Sequence, residues 1–308
     1  MLQYLIILLD DTSVSFCHYE NSKTERRLMS IDTLRKGIRF GMMENLMIQF
    51  VYPDYELPEE YAEAIESIDH SKIKPVPKDA DVLVLNELQE VENVDVPIVL
   101  RVSKQEFFGY EEQIVGLLRK TPRLNIVLTG VETFKDGDFD AYKAVLSRLA
   151  ESVKQMYIAS RSPQLNLLTD RIMLSQMNNC GAGDTNITLA PNGKFYVCPA
   201  FYYEDAADSV GDLEHGLDIK NKQLYKLEYA PICRHCDAWQ CKRCVWLNRK
   251  TTLEVNTPSH EQCVVAHLER NASRELLQNI RKHGSFQPEQ DIKEIDYLDP
   301  FDKRDEWQ

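Results

Sequence analysis

The sequence predicts an α/β fold followed by a cysteine-rich module, on three observations. Apolar runs recur through the first half with amphipathic stretches between them. Those runs are apolar throughout rather than alternating, which marks parallel strands covered on both faces. Seven of the eight cysteines fall between 180 and 263, where the alternation of strands and helices stops. A partial or full βα barrel fits the first part, and so does an open doubly wound sheet. Periodicity does not separate them.

YLIILL (4–9) is continuous and ends in Asp-Asp, so it reads as a buried strand. Ile31, Leu34, Ile38 and Met42 recur at helical spacing behind Ser30, a candidate N-cap. LMIQFV (46–51) is the next strand. Pro58 then starts a helix with Tyr61, Ile65 and Ile68 on one face. VLVLN (82–86) and IVLRV (98–102) are strands, 104–119 is a helix, and LNIVLTG (124–130) is another buried strand. Asp136-Gly137 reads as a turn before a long helix striped with Phe139, Tyr142, Leu146, Leu149 and Val153. LNLLT (165–169) closes the series. ITLAPNGKFYVC (187–198) is a hairpin around Pro-Asn-Gly. VVAHLERNASRELLQNIRK, after Cys263, is a closing helix. The division this implies is 1–175, 176–282 and an acidic extended tail, 283–308.

The net charge of −13 argues against a general nucleic-acid binder and against broad attachment to anionic lipid. MLQYLIILLDD lacks a basic region and a cleavage site, and no apolar stretch is long enough to span a bilayer. The expectation is a cytoplasmic protein with no membrane segment. No GxGxxG follows the first strand and no GxxxxGK[ST] occurs, which argues against nucleotide binding of those two kinds.

CRHCDAWQCKRC (233–244) packs four cysteines into twelve residues. Thiolates are soft ligands that suit zinc or iron–sulfur clusters. One reading is a single four-cysteine zinc site. Zinc ribbons separate their CxxC pairs by about 15–20 residues, whereas only DAWQ intervenes here. Disulfides are a second reading, weakened by an odd cysteine count and a reducing compartment. Two metal centres with interleaved ligands are the third. They use all seven cysteines and add folding energy to a turn-rich segment with little apolar core.

The full pattern is Cys180-x12-Gly193-x4-Cys198, a gap, Cys233-x2-Cys236-x4-Cys241-x2-Cys244, a gap, and Cys263. This resembles the SPASM domain, the seven-cysteine module appended to radical SAM enzymes that mature peptides. APNGKFYVCPAF looks like that family's hairpin, and SVGDL (209–213) sits where a small loop follows. The spacings x4 and x2 depart from the family's usual x5 and x3. The resemblance implies a partial βα barrel of radical SAM type and two [4Fe–4S] clusters. Cys180, Cys198 and Cys244 would hold the first, with His235 a possible extra ligand. Cys233, Cys236, Cys241 and Cys263 would hold the second. A radical SAM enzyme also carries CxxxCxxC after its first strand. Here TSVSFCHYENS has Cys17 and no cysteine four or seven residues on. The expectation is therefore no binding or unaided cleavage of S-adenosylmethionine (AdoMet).

More closely, YLIILLDDTSVSFCHYEN, ENLMIQFVYPDYELP (44–58) and IDHSKI (68–73) resemble the CXXX repeat peptide maturase family. That implies a maturation protein for a ribosomally made peptide with cysteine at every fourth residue. It would work with a partner modifying enzyme or redox protein. The alternative is a non-enzymatic, metal-stabilised adaptor, with zinc in place of iron, that presents the precursor to such an enzyme.

Other groups carry weaker expectations. Cys17 beside His18 and Glu20 is a nucleophile only if they converge in space; an ordinary thiol is the default. Asp10 and Asp11 end the first strand, where α/β sites lie, and would bind Mg2+, orient a substrate or simply form a turn. Glu132 has the same ambiguity. His215, His235, His260 and His267 are packing histidines by default and ligands as the alternative. Arg234, Lys242, Arg243, Arg249 and Lys250 offset cluster charge or dock an acidic leader peptide or redox partner. Trp239 and Trp246 would shield the thiolates from water.

Overall fold

Apolar runs become strands where helices cover them. The computed structural model describes residues 1–294. In chain order the elements are β1 (Tyr4–Leu8), α1 (Ile31–Met43), β2 (Met47–Val51), α2 (Glu59–Glu66), β3 (His70–Lys74) and β4 (Val82–Leu85). Then come β5 (Ile98–Val102), α3 (Lys104–Gly109), α4 (Glu111–Leu118), β6 (Arg123–Leu128), α5 (Asp136–Ile158), β7 (Gln164–Leu165) and α6 (Asp170–Met173). The rest are β8 (Asn186–Leu189), β9 (Phe195–Tyr196), α7 (Pro199–Glu204), β10 (Gly211–Asp212), β11 (Gly216–Leu217), α8 (Val245–Thr252) and α9 (His260–Arg281).

Two compact units interleave along the chain. The first comprises residues 1–86 and 180–230. Its strands lie in the order β4-β3-β2-β1-β8-β9. Pairing is parallel from β4 through β8, and β9 returns antiparallel as the hairpin partner of β8. Leu5, Ile7, Ile48, Phe50, Ile187 and Leu189 fill one core with Leu34 and Ile38 of α1. Ser30 caps α1 by accepting from Thr33 N at 3.1 Å. Gly41 lets α1 lie close on the sheet, since a Cβ there would stand 2.6 Å from Ile48 Cδ1. Gly193 turns the β8–β9 hairpin at φ +77°, where a side chain would strain the backbone.

The second unit comprises, among the described residues, 87–179 and 231–294. Its strands lie in the order β7-β6-β5, all parallel. α5 buries Tyr142, Leu146, Leu149 and Val153. α9 buries Val265, Leu276, Leu277 and Ile280. Tyr142 joins the two helices, donating to Glu269 at 2.6 Å. Ser259 and Gln262 form a capping box at the start of α9.

Several expectations changed on folding. β3 reads HSKIK and buries only Ile73, so no apolar run announced it. The helix expected over 104–119 breaks at Tyr110, whose φ −125° and ψ 38° are not helical. Asp136-Gly137 is no turn; it forms the first turn of α5, where Asp138 accepts from Lys135 N. LNLLT contributes only Leu165 to a strand before the chain turns into α6. The start of the expected tail packs on its own unit: Ile292 is buried, and Arg281 donates to the carbonyls of Phe286 and Gln290. The remainder of that tail, 295–308, lies outside the described residues. The compact units divide the chain at 86, 179 and 230, whereas the boundary at 175 follows the change in sequence texture and that at 282 the start of the acidic tail. Among the described residues no helix is long and apolar enough to cross a membrane.

Candidate metal centre

In the second unit the first CxxC begins as a 3-10 turn, Cys233–His235. Cys236 N closes it onto Cys233 O at 3.1 Å. Cys236, Cys241 and Cys244 then each receive a backbone donor. Ala238 N reaches Cys236 Sγ at 3.4 Å, Arg243 N reaches Cys241 Sγ at 3.4 Å, and Leu247 N reaches Cys244 Sγ at 3.5 Å, where Cys244 caps α8. Such donors favour sulfur that carries negative charge.

Cys233, Cys236 and Cys241 lie within electrostatic reach of one another. Burial pushes the Cys233 thiol up to about 11 and the Cys241 thiol up to about 12, with Cys233 adding to the latter. Burial raises Cys236 as well. Such thiols stay protonated near neutral pH until a cation displaces the protons. The donor set therefore fits a thiophilic metal in its chemistry. Among the described residues, no three His, Cys, Asp or Glu side chains already stand in a metal-ligating arrangement.

A histidine, His267, contacts Cys236. His267 is buried, and its Nε2 lies 3.3 Å from Cys236 Sγ. His235 is exposed. Cys263 stands one turn before His267 on α9, so the two share a helix face. Asp237, next in chain to Cys236, is gripped by Arg270 from Nε at 2.9 and 3.0 Å and from Nη2 at 2.6 Å. Burial alone would raise the Asp237 carboxyl. The hydrogen bonds and charge of Arg270, with the charge of Arg171, hold it below the ordinary carboxylate value. Arg171 stacks on Trp239 at 4.0 Å. Burial also pushes the Glu269 carboxyl up to about 7, against the Tyr142 hydroxyl and Gln240 that would favour its ionised form.

The basic residues of this segment are largely committed. Arg243 is buried, Lys250 pairs with Glu132 at 2.7 Å, and Lys242 lies 3.9 Å from Asp170. Trp246 lies under Lys250 Nζ at 5.2 Å.

The first unit holds the other candidates. Asp10 is fully buried at the end of β1. Its Oδ1 accepts from Thr12 N at 2.8 Å and Thr12 Oγ1 at 2.6 Å, and its Oδ2 accepts from Tyr55 at 2.9 Å. Asp11 accepts from the Tyr202 hydroxyl and lies 3.5 Å from Lys23 Nζ. These carboxylates are taken up by protein donors. Tyr19 stacks on Tyr203 with ring centroids 5.4 Å apart. Burial raises the Tyr19 hydroxyl, and then Tyr203, Cys17 and Cys198 add to it, which places both cysteines around this ring. Cys180 is exposed, ahead of a turn through Gly181 and Gly183 at positive φ. Cys180 and Cys198 belong to this unit, and Cys244 belongs to the other.

Arg171, Asp237, Arg270 and Glu269 were not singled out from sequence. DAWQ places Asp237 between the two CxxC pairs, which was the one available signal. Arg171 lay hidden in a stretch that reads as a strand end.

No protein-family profile and no curated protein matches the chain. Solved structures do. Polyhistidine-tagged anSMEcpe with bound AdoMet aligns at a TM-score of 0.62 and 13% identity, over 92% of this chain and 100% of that one. Native anSMEcpe with bound AdoMet and Cp18Cys peptide aligns at 0.61 and 11%, over 92% and 100%. Streptococcus suis SuiB bound to precursor peptide SuiA reaches 0.40 at 14% identity, over 73% and 64%, too partial to bear on the fold. Identities this low speak to architecture alone, and the chain shares the mixed α/β fold of anSMEcpe.

Proposed function

We propose that the chain is a maturation protein for a ribosomally made peptide with cysteine at every fourth residue, and that its thiols hold iron–sulfur clusters. The observation that carries this reading is that Cys233, Cys236 and Cys241 lie within electrostatic reach of one another, with backbone donors on two of the sulfurs. A fold shared with a protein that holds a peptide supports the substrate class. The choice of a cysteine-repeat peptide rests on the sequence resemblance.

In this reading Cys233, Cys236, Cys241 and Cys263 hold one cluster. The assignment of Cys180, Cys198 and Cys244 to another rests on the sequence pattern. Bound clusters supply one-electron transfer or an open iron for a substrate thiolate. The chain's own part is to offset sulfur charge with the amides of Ala238 and Arg243 and to keep water away with buried Ala238 and Val245. Cys17 has no cysteine four or seven residues on, so AdoMet cleavage would fall to a partner enzyme. The AdoMet carried by anSMEcpe lends that expectation no support, and equilibrium dialysis with AdoMet decides it.

His267 at 3.3 Å from Cys236 favours a second reading, three thiolates and one imidazole around zinc. The protein would then be a metal-stabilised adaptor that presents the precursor. Iron, sulfide and zinc content of anaerobically purified protein, with its EPR spectrum after reduction, separates the two. About eight irons with matching sulfide is the expected result for two clusters. Zinc without iron would replace the cluster reading with the adaptor.

A further inference from the structure

Arg171 is only 2% exposed, and nearly all of its side chain is committed to the turn that carries Cys236. Its Nε donates to Asp237 O at 2.8 Å. Its Nη2 lies 3.8 Å from Asp237 Oδ2, and the guanidinium lies over the Trp239 ring. Nη1 is different: it is buried and has no hydrogen-bond partner among the described residues. A buried N–H without an acceptor is costly, and arginine cannot relieve the cost by losing its proton.

The local charge is also unbalanced. Asp237 is the carboxylate in contact with both Arg171 and Arg270, and each guanidinium is almost wholly buried. Asp291 acts on Arg171 from an exposed position. Cys236 is the other group within electrostatic reach that can become anionic. As a thiol it offers little. As a thiolate in a metal centre it, or a sulfide beside it, supplies both the acceptor and the negative charge.

We propose that Arg171 is a positioning residue that donates from Nη1 to sulfur of the cluster held by Cys236, and so raises that cluster's reduction potential. A hydrogen bond and a fixed positive charge stabilise the more negative, reduced state. The inference rests on the cluster reading above. It names a residue through which the protein tunes how readily that cluster takes an electron.

The test is an EPR-monitored redox titration, with iron analysis, of wild-type protein, Arg171→Lys and Arg171→Gln. Lysine keeps the charge and loses the planar fork; glutamine loses the charge. The expected midpoints of one cluster fall in the order wild type, Lys, Gln, at unchanged iron content, while the other cluster's midpoint stays put as an internal control. If the glutamine variant fails to load iron, the lysine variant decides alone: a lower midpoint supports the assignment and an identical one overturns it. Full iron with unmoved midpoints in both variants would make Arg171 a strut for Trp239 and nothing more. Wild-type protein without iron would overturn the cluster reading itself, and the inference with it.

Discussion

Both units hold carboxylates at their candidate sites, and they neutralise them by different means. In the first unit Asp10 ends β1 with Thr12 and Tyr55 donating to its oxygens, and Asp11 takes the Tyr202 hydroxyl with Lys23 beside it. Neutral donors serve Asp10, while Asp11 also has Lys23 and Arg27 at 3.5 and 3.9 Å. In the second unit Asp237 faces two buried guanidiniums, and thiols sit next in the chain. Hydrogen bonds complete the first arrangement within the protein. The second leaves cationic groups beside sulfur. A loop built the first way is self-sufficient, whereas the anionic centre proposed above would complete the second.

The largest test of that contrast is metal removal. Chelation, or Cys233→Ala, should cost the second unit on the order of several kcal/mol, because metal binding to such a segment is folding free energy. Hydrogen exchange should show lost protection over 231–263 and α9, with β1, β2 and β8 unchanged. Equal loss in both units would mean that the thiol segment is not the metal-dependent part.

Next come the acids themselves. Asp237→Ala strands Arg171 and Arg270 as buried cations, for which about 3–5 kcal/mol is expected. Asp10→Ala leaves neutral hydroxyl and amide donors unpaired, for which about 1–3 kcal/mol is expected. Urea unfolding of the two variants against wild type measures the difference. Equal costs would erase the distinction between neutral and charged neutralisation.

What was legible in the sequence followed the same division. The first unit's core announced itself through YLIILL, the Ser30 cap and the Pro-Asn-Gly hairpin, because burial and turn chemistry act over a few residues. β3 escaped because Ile73 is its single buried side chain. The cysteines were legible as a metal-type pattern, yet the groups that clamp them were not. Arg171, Asp237 and Arg270 come from α6, the CxxC turn and α9, and no local periodicity records a contact between such distant positions. His267 was one of four comparable histidines until α9 placed it beside Cys236.

A packing change tests whether the first unit is as self-contained as its hydrogen bonds suggest. Gly41→Ala pushes a methyl against Ile48 and Leu5, and overpacking of this kind costs about 1–3 kcal/mol. Thermal unfolding should register it while metal content stays at the wild-type value. A loss of metal in this variant would show that the two kinds of stability are not separate.

The smallest effect lies at the surface of the first unit, where a charge pair carries no burial. His215 Nδ1 lies 3.0 Å from each carboxylate oxygen of Asp212, just before β11. The hydrogen bond first, and then the carboxylate's charge, hold His215 above its ordinary value. The folded protein therefore binds this proton more tightly than the unfolded chain does. The resulting stability is fully present below the unfolded histidine value and is lost as pH rises through the raised one. Both side chains are in water, so screening keeps the gain small. NMR titration should find His215 raised in wild type and returned to the ordinary value in Asp212→Asn, with no change in midpoint urea concentration beyond error at neutral pH. A large stability change there would mean that exposed charge matters in this unit too. The contrast with the Asp237 clamp, whose two arginines are buried, would then be one of position in the fold rather than of desolvation.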